Sequence, residues 1–283
     1  VHNAWKSAEP GVLFCDTILR ESVPDCYADL GYRTVSTNPC GEIPLCPYDS
    51  CRLLAINLYS YVVNPFKPDA YFDFDLFKKH VALAQRIMDD IIDLELEKIE
   101  RIMAKIDSDP ENEDVKHTES VLWQKIYKKS GQGRRTGVGI TAEGDMLAAL
   151  GLRYGTEEAT EFAEKVHQTV ALSAYRSSVE MAKERGAFEV YDSEREKNNP
   201  FINRLREADP ELYEEMKKYG RRNIACRYTS DVAKSIRMTP TYMWISWMKP
   251  ETHSRNTSYS IPSSSPGCRR KDTILPSTTP RTR

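Results

Sequence analysis

The residues Thr136-Gly137-Val138-Gly139-Ile140 form the stretch that decides the fold class of this 283-residue chain. They predict a short buried strand, because they are apolar or small and carry no charge. A helix is predicted before this strand, over about 113–129 with Ser130-Gly131 closing it, and another after it, near 141–150. Strands that alternate with helices in this way are typical of an α/β fold with parallel strand pairing.

Two longer helices are predicted from apolar side chains that recur every three or four residues. Asp73 or Asp75 can cap the first, which Asp107-Ser108-Asp109-Pro110 ends. The second begins at Thr156 and ends at Gly186. The side chains that we expect to face the core are Phe77, Val81, Ala84, Met88, Ile91, Ile92, Ile99, Ile102, Met103, Ile106, Phe162, Val166, Val170, Ala174 and Met181. Further strands are predicted over residues 53–63, 187–191 and 223–226.

The charge of the chain is nearly balanced overall but differs between two regions. With 40 Lys and Arg against 42 Asp and Glu, the chain lacks the overall basic charge of nucleic-acid-binding proteins. Residues 1–226 carry 30 basic and 39 acidic side chains, whereas residues 227–283 carry 10 and 3, and 25 of those 57 residues are Ser, Thr or Pro. Such a composition cannot offset the entropy lost on ordering. We therefore predict a globular region over 1–226 and a disordered tail over 227–283, which we interpret as the product of a shifted reading frame.

The composition also predicts in which cellular compartment the protein lies. The chain has no run of 18 apolar residues, so we expect no membrane span and no membrane partner. Its first residues lack the basic and apolar parts of a secretory signal, and they lack an initiator Met, so we expect a partial chain. Seven cysteines, an odd number, argue against a secreted disulfide framework. Reduced thiols in the cytoplasm are the better expectation.

The loop over residues 36–51 combines three kinds of reactive or polar side chain. Two prolines and a glycine within six positions predict a stiff, extended segment rather than a helix. Alternate residues of an extended segment share one side, so Asn38, Cys40 and Glu42 can present an amide, a thiol and a carboxylate together. Gly41 allows a ligand to approach the backbone closely. The set offers a sulfur reagent, an acid or base and a neutral hydrogen-bonding group.

The residues alone leave other interpretations open for the cysteines. Cys51 can return beside Cys40 if the chain turns back through Pro47-Tyr48-Asp49. A thiol in a loop is more often a small buried apolar group, and this is the simplest interpretation of Cys15, Cys26 and Cys46. A metal site of Cys40, Cys46 and Cys51 is disfavoured, because their spacing lacks paired Cys-x-x-Cys segments and no nearby His completes a set.

Two further features have structural interpretations. The glycine pairs Gly131-x-Gly133 and Gly137-x-Gly139 are not the full dinucleotide-binding fingerprint, so we expect them to serve close strand packing. His167 lies in the middle of a predicted helix with no His or Cys four residues away. We expect it to be a surface or core histidine rather than a ligand.

The loop resembles the active-site loop of ribonucleotide reductases. The residues that carry the resemblance are Asn38-Pro39-Cys40-Gly41-Glu42 and residues 50–58, and residues 7–14 and 131–141 also resemble that family. The similarity runs from residue 1 to about residue 226. It is strongest to the adenosylcobalamin-dependent (vitamin B12-dependent) class, because the separation of 11 between Cys40 and Cys51 is shorter than we expect in the oxygen-dependent large subunit.

The resemblance implies a fold and a set of residue roles. The fold is a ten-stranded α/β barrel, present here in part, with the loop along its centre. Cys40 would act as a thiyl radical that takes the 3′ hydrogen of the ribose, Glu42 would draw the proton from the 3′ hydroxyl, and Asn38 would bind the ribose hydroxyls. Cys51 matches the family's second redox cysteine. The implied substrate-binding residues are Ser36, Thr37, Asn38, Pro39, Cys40, Gly41 and Glu42.

The resemblance also implies a cofactor and partners. Adenosylcobalamin would carry the difficult step, homolysis to a 5′-deoxyadenosyl radical, while the protein positions and shields it. Cys51 and a partner thiol would supply two electrons and end as a disulfide, which a thioredoxin or glutaredoxin-type reductant would reduce. The substrate would be a ribonucleotide, and the full-length parent would be a homodimer.

The chain departs from the family after Cys226. The family continues into a Pro-Thr-Gly phosphate-binding loop, whereas this sequence reads Arg227-Tyr228-Thr229-Ser230. The segment with the redox partner of Cys51, the later barrel strands and the C-terminal cysteines are also missing. We therefore expect the isolated chain to be inactive. Two alternatives are a non-catalytic remnant that binds nucleotide or a full-length subunit, and the large subunit of an oxygen-dependent reductase.

Overall fold

The structure, a computed structural model, describes residues 2–7, 11–39 and 41–226, and all of them belong to one compact unit. The predicted tail over 227–283 and the position of Cys40 lie outside the described residues. The strands are β1 (Ser36–Thr37), β2 (Pro44–Leu45), β3 (Arg52–Asn57), β4 (Val62–Val63), β5 (Tyr71–Phe72) and β6 (Thr136–Thr141). The helices are α1 (His2–Ser7), α2 (Cys15–Glu21), α3 (Phe74–Ser108), α4 (Glu113–Gly133), α5 (Glu143–Ala149), α6 (Glu157–Arg185), α7 (Ser193–Glu196), α8 (Pro200–Ala208) and α9 (Pro210–Tyr219). Two 3-10 helices cover Pro24–Leu30 and Leu58–Tyr61.

The predicted parallel pairing is confirmed in β3 and β6, which α3 and α4 connect. Arg52 lies opposite Thr136, and the register continues to the ends of both strands. The segment 223–226 is bonded to β6 as well, because the Thr136 and Val138 N–H groups donate to the carbonyls of Ala225 and Cys226, each at 3.0 Å. It forms no regular strand and bends at Ile224, so the strand predicted over 223–226 is wrong, although the segment lies beside β6.

The core lies where α3 and α6 pack on each other and on these two strands. Phe77 and Val81 of α3, Val170 and Ala174 of α6 and Val138 of β6 are fully buried. Burial of a large apolar side chain contributes about 1.5–3 kcal/mol, so this contact dominates the stability of the unit. Most of the side chains that the helical periodicity assigns to the core are buried, but Ile91 is 38% exposed.

The ends of the long helices follow the predicted signals. Asp73 caps α3, since its Oδ1 accepts a hydrogen bond from the Leu76 N–H at 2.9 Å. Thr156 caps α6 in the same way through the Ala159 N–H. Gly186 follows α6 with a φ of +84°, a conformation that few other residues adopt without strain.

A buried polar network fixes the segment 223–226 beside β6. Asn223 accepts a hydrogen bond from Gln85 at 2.8 Å and donates to Asp89 at 2.9 Å. Arg134 Nε donates to the same Asp89 oxygen, Oδ1, at 2.8 Å. Burial alone would raise the pKa of Asp89, but hydrogen bonding and charge from Arg134 and the charge of Arg222 outweigh it and hold that pKa below its usual value.

The predicted end of α4 is wrong by four residues, since the helix continues to Gly133 rather than ending at residue 129. Ser130 and Gly131 lie inside the helix, which ends when Arg134 adopts a left-handed conformation at φ +48°. Ser130 remains helical because it is buried, and its hydroxyl accepts a hydrogen bond from Arg52 Nη2 at 2.8 Å. A tertiary contact therefore overrides the local signal for a helix end.

Two of the predicted strands also need correction. The strand predicted over 53–63 ends at Asn57, whose side chain accepts the Tyr59 N–H and starts the 3-10 helix Leu58–Tyr61. The segment 187–191 is not a strand. Its Phe188 N–H donates to Arg221 and its Glu189 N–H to Gln132, so its two bonds go to different segments rather than to one ladder. No helix among the described residues is long and apolar enough to cross a membrane.

Candidate active site

The predicted extended loop is a tight β-hairpin. Strands β1 and β2 pair antiparallel, with Thr37 opposite Pro44. Across the turn, the Asn38 N–H donates to the Ile43 carbonyl at 3.1 Å, and the Ile43 N–H donates to the Asn38 side-chain Oδ1 at 2.9 Å. Gly41 completes the turn with a φ of +83°, and its N–H donates to the Asn38 carbonyl at 3.0 Å. Asn38 therefore closes the turn with both its backbone and its side chain.

The hairpin brings most of the predicted site residues to one end. Asn38, Gly41 and Glu42 are partly buried in the turn, and Pro39 at its tip is exposed. Ser36 and Thr37 lie in β1, exposed and partly buried respectively. Asn38 and Glu42 thus lie on the two sides of the turn and not, as predicted, as alternate residues of an extended segment.

One oxygen of the Glu42 carboxylate has an unusual environment. Its Oε2 atom is buried and accepts no hydrogen bond from any of the described residues. A buried acceptor without a donor costs about 1–3 kcal/mol, more when it is charged, so such atoms are uncommon unless a ligand or water supplies the donor. The arrangement is suited to a carboxylate that receives a hydroxyl proton from a bound molecule.

The chain turns after β2, at the Pro47-Tyr48-Asp49 segment where the sequence allows a turn. The Asp49 N–H donates to the Cys46 carbonyl at 3.3 Å, and Tyr48 has a φ of +63°. This turn delivers Cys51 to the start of β3, where its thiol lies beside Gly137 of the neighbouring strand β6. Cys51 is partly buried.

A buried ion pair holds this second turn against β6. Arg135 Nε donates to Asp49 Oδ2 at 2.6 Å, and both side chains are less than 5% exposed. Burial alone would lower the pKa of Arg135, but the charge of Asp49 outweighs it, so that pKa is raised. Arg135 therefore keeps its positive charge beside Asp49.

Cys46 has the environment of a structural thiol. It is buried, and its Sγ lies 3.5 Å from Asp49 Oδ2. Burial first, and then the charge of Asp49, raise the pKa of Cys46 to about 12. The thiol remains protonated at neutral pH, and a protonated thiol is a poor nucleophile and metal ligand.

Arg52, the residue after Cys51, fixes the backbone around that cysteine. Its guanidinium binds Glu95, with Nε 2.6 Å from Oε2 and Nη2 2.5 Å from Oε1. Its Nη1 donates to the carbonyls of Ser50 at 3.3 Å and Arg135 at 3.2 Å. Sequence reasoning missed these positioning residues, although a charged residue at the start of an apolar strand is a signal that it has a buried partner.

Two structural interpretations are confirmed at this site. One glycine of each pair serves close packing: a Cβ atom at Gly133 would lie 2.9 Å from Tyr32 Cε1, and one at Gly137 would lie 2.7 Å from Cys51 Sγ. His167 is a core histidine, 5% exposed, with its Nε2 3.7 Å from Glu143 Oε2.

Exposed apolar side chains border the turn that carries Cys40. Val12, Leu13 and Phe14 are 39–49% exposed. A Cβ atom at Gly41 would lie 3.1 Å from Leu13 Cδ2, so this apolar segment lies directly against the turn.

Three comparisons with known proteins agree with this geometry. A family model described as "Ribonucleotide reductase, barrel domain" matches residues 1–228. The vitamin B12-dependent ribonucleoside-diphosphate reductase of Thermoplasma acidophilum is 35% identical over 198 residues, which cover 70% of this chain and 22% of that protein. The protein of the same description from Mycobacterium tuberculosis is 31% identical over 193 residues, 68% of this chain and 22% of that protein.

A solved structure supports the fold. The class Id ribonucleotide reductase alpha subunit of Actinobacillus ureae matches 82% of this chain and 36% of its own, with a TM-score of 0.52 and 18% identity. At that identity the likeness concerns the fold alone. The chain spans about a fifth of the length of the curated relatives that it matches.

Proposed function

Because the chain belongs to the ribonucleotide reductase family, within its barrel domain, we propose that it carries the catalytic loop of an adenosylcobalamin-dependent ribonucleoside-diphosphate reductase. Such an enzyme replaces the 2′ hydroxyl of a ribonucleotide with hydrogen. The observation that carries the proposal is the hairpin turn that holds Asn38 and Glu42, the residues two before and two after Cys40 in the sequence, and in which one Glu42 oxygen is buried without a described donor. Relatives that are 31–35% identical are described as B12-dependent reductases.

The proposed roles follow from the chemistry of each group. Cys40, as a thiyl radical, takes the 3′ hydrogen of the ribose and becomes a thiol. Glu42 accepts the proton of the 3′ hydroxyl, and the 2′ hydroxyl leaves as water with a proton from one of the two reducing thiols. The Asn38 Oδ1 is bonded to the Ile43 N–H, so its amide NH2 is the group that can donate to a ribose hydroxyl. Ser36, Thr37, Pro39 and Gly41 contact the substrate around this turn.

Cys51 supplies reducing electrons in this proposal. It and a second thiol, on a part of the enzyme that this chain does not contain, give up two electrons and two protons and form a disulfide. A thioredoxin or glutaredoxin-type protein then reduces the disulfide. The cytoplasm suits this cycle, since its thiol pools keep such reductants reduced. We extend the proposal to a homodimer of the full-length parent.

The exposed surface beside the turn fits a large organic cofactor. Val12, Leu13 and Phe14 expose apolar groups next to Gly41, where the apolar part of a large ring can pack. When bound, adenosylcobalamin supplies the unpaired electron that the reaction needs. The residues of this chain would shield that chemistry from water on the side of Val12, Leu13 and Phe14.

A chimera tests the proposal. Residues 1–226 would replace the matching segment of the Thermoplasma acidophilum relative, and deoxynucleotide formation from CDP would be measured with dithiothreitol, with and without adenosylcobalamin. We expect turnover that requires adenosylcobalamin. A folded chimera that binds CDP but forms no product would contradict the catalytic assignment, and cobalamin-independent turnover would favour the oxygen-dependent alternative.

A further inference from the structure

Gly137 lies directly against the thiol of Cys51. It is opposite Leu53 in the parallel register, one position from the start of both strands. A Cβ atom at Gly137 would lie 2.7 Å from Cys51 Sγ and 3.2 Å from both the Arg52 carbonyl oxygen and Leu53 Cδ2. Nonbonded heavy atoms pack best at about 3.5–4.0 Å, so any side chain at this position would displace the sulfur.

The backbone conformation does not require glycine at this position. Gly137 is absent from the described glycines with positive φ, unlike Gly41 and Gly186. Glycine within a strand weakens it, and a strand interior favours β-branched residues. The space that the missing Cβ leaves for the Cys51 thiol therefore explains the glycine better than the backbone does.

The chain on both sides of Cys51 is held in place. Arg135 binds Asp49 in a buried ion pair, two residues before the thiol. Arg52 binds the Ser50 carbonyl and the Arg135 carbonyl, which ties the loop to the start of β6. A methyl group at residue 137 would therefore turn the Cys51 side chain to another rotamer rather than move the backbone.

We propose that Gly137 is a positioning residue that sets the direction of the Cys51 thiol. The inference rests on the proposed function, in which Cys51 forms a disulfide with a second thiol. Disulfide geometry is narrow, with the two Cβ atoms about 3.5–4.5 Å apart, so a sulfur turned to another rotamer cannot form the bond without backbone movement. Gly137 thus contributes to electron supply without touching the substrate.

The reactivity of Cys51 in the full 283-residue chain tests this inference. The rate of Cys51 alkylation by iodoacetamide would be measured by mass spectrometry in Gly137→Ala and in the control Gly144→Ala, where an added Cβ meets no atom within 4 Å. We expect alkylation at least fivefold faster in Gly137→Ala, because the turned thiol leaves its contact with β6, and a change below twofold in Gly144→Ala. Buried Cys46 should stay slow in both, which reports that the fold is intact. A change below twofold in Gly137→Ala overturns the proposal.

If Gly137→Ala does not fold, a second variant tests the inference. The double variant Cys51→Ala, Gly137→Ala removes the sulfur, so its thermal midpoint should recover at least half of the difference between Gly137→Ala and Cys51→Ala. If the thermal midpoint does not recover, the contact between the added Cβ atom and the Arg52 carbonyl oxygen destabilises Gly137→Ala, and the proposal is wrong.

The alkylation measurement does not depend on enzyme turnover. An inactive chimera with a changed Cys51 rate therefore contradicts only the proposed function, and an unchanged rate in an active chimera contradicts only this inference.

Discussion

Asn38 and Glu42 have different tasks in the same turn. The Asn38 side-chain oxygen accepts a hydrogen bond from the Ile43 N–H, and this bond shapes the hairpin. Glu42 keeps one buried oxygen without a described donor. At the scale of single residues, Asn38 therefore shapes the turn and keeps its amide NH2 for the proposed bond to substrate, while Glu42 is the better candidate for proton transfer.

Glu42→Gln tests that division of roles in the chimera. The amide keeps the shape of the side chain but cannot accept a proton, and general-base catalysis contributes about 10²–10⁴-fold. We expect turnover of CDP to fall at least 100-fold while the Kd for CDP changes less than threefold. Glu194→Gln, on exposed α7, is the control and should leave turnover unchanged. Turnover within tenfold of the parent would rule out Glu42 as the base.

Asp49→Asn tests the buried ion pair with Arg135. Removing one charge leaves the other buried and uncompensated, which costs about 3–5 kcal/mol. We expect a large fall in the urea concentration at the midpoint of unfolding, followed by circular dichroism. Asp29→Asn breaks the exposed pair with Arg195 and should shift the midpoint far less. Equal shifts of the urea midpoint in the two variants would show that the buried Asp49–Arg135 pair stabilises the fold no more than the exposed Asp29–Arg195 pair.

The sequence was more informative about apolar and motif residues than about charged ones at this scale. The turn residues between 36 and 51 were found because prolines, a glycine and a cysteine are locally distinctive. Arg135, Arg52 and Asp49 were missed because their partners lie 43–86 residues away in the chain. A long-range ion pair leaves no periodic signal along the sequence.

At the scale of elements, the sequence predicts either Asp73 or Asp75 as the N-cap of helix α3. The structure assigns the cap to Asp73, whose side chain bonds to the Leu76 N–H, whereas Asp75 lies in the first turn with its side chain 95% exposed. Removing an N-cap costs about 1 kcal/mol. We expect Asp73→Ala to lower the thermal midpoint of the chain and Asp75→Ala to lower it clearly less. The reverse order would mean that α3 begins two residues later.

Elements with long periodic patterns were predicted well. Both α3 and α6 agree with their predicted apolar stripes, since a strong 3.6-residue period survives most tertiary contacts. Short elements depend on their partners instead. Residues 36–45 form a hairpin because Asn38 bonds across the turn, and residues 187–191 form no strand because no neighbouring strand pairs with them.

The whole molecule exposes apolar surface that a longer enzyme would have to cover. Leu83, Ile87 and Leu94 are 44–63% exposed, and their spacing places them on one stripe of α3. On β3, Leu53 is 53% exposed. Contiguous exposed apolar groups promote association.

The isolated chain should therefore self-associate. We expect its sedimentation velocity to show oligomers whose share rises with concentration over the micromolar range. A variant with Leu83→Gln, Ile87→Gln and Leu94→Gln should shift the population toward monomer, and Lys98→Gln with Arg101→Gln on the same helix should not. A parent chain that stays monomeric, with one sharp unfolding transition seen by all probes, would contradict this expectation.

The central claim is that Cys40 is the radical thiol of this loop, and one measurement tests it most directly. Deoxynucleotide formation from CDP would be compared between the chimera and its Cys40→Ser variant, with adenosylcobalamin and dithiothreitol present. A serine hydroxyl lacks the weak S–H bond that radical transfer needs. We predict a loss of turnover of at least 1,000-fold with the Kd for CDP unchanged within threefold. Turnover of Cys40→Ser within tenfold of the chimera would contradict the claim.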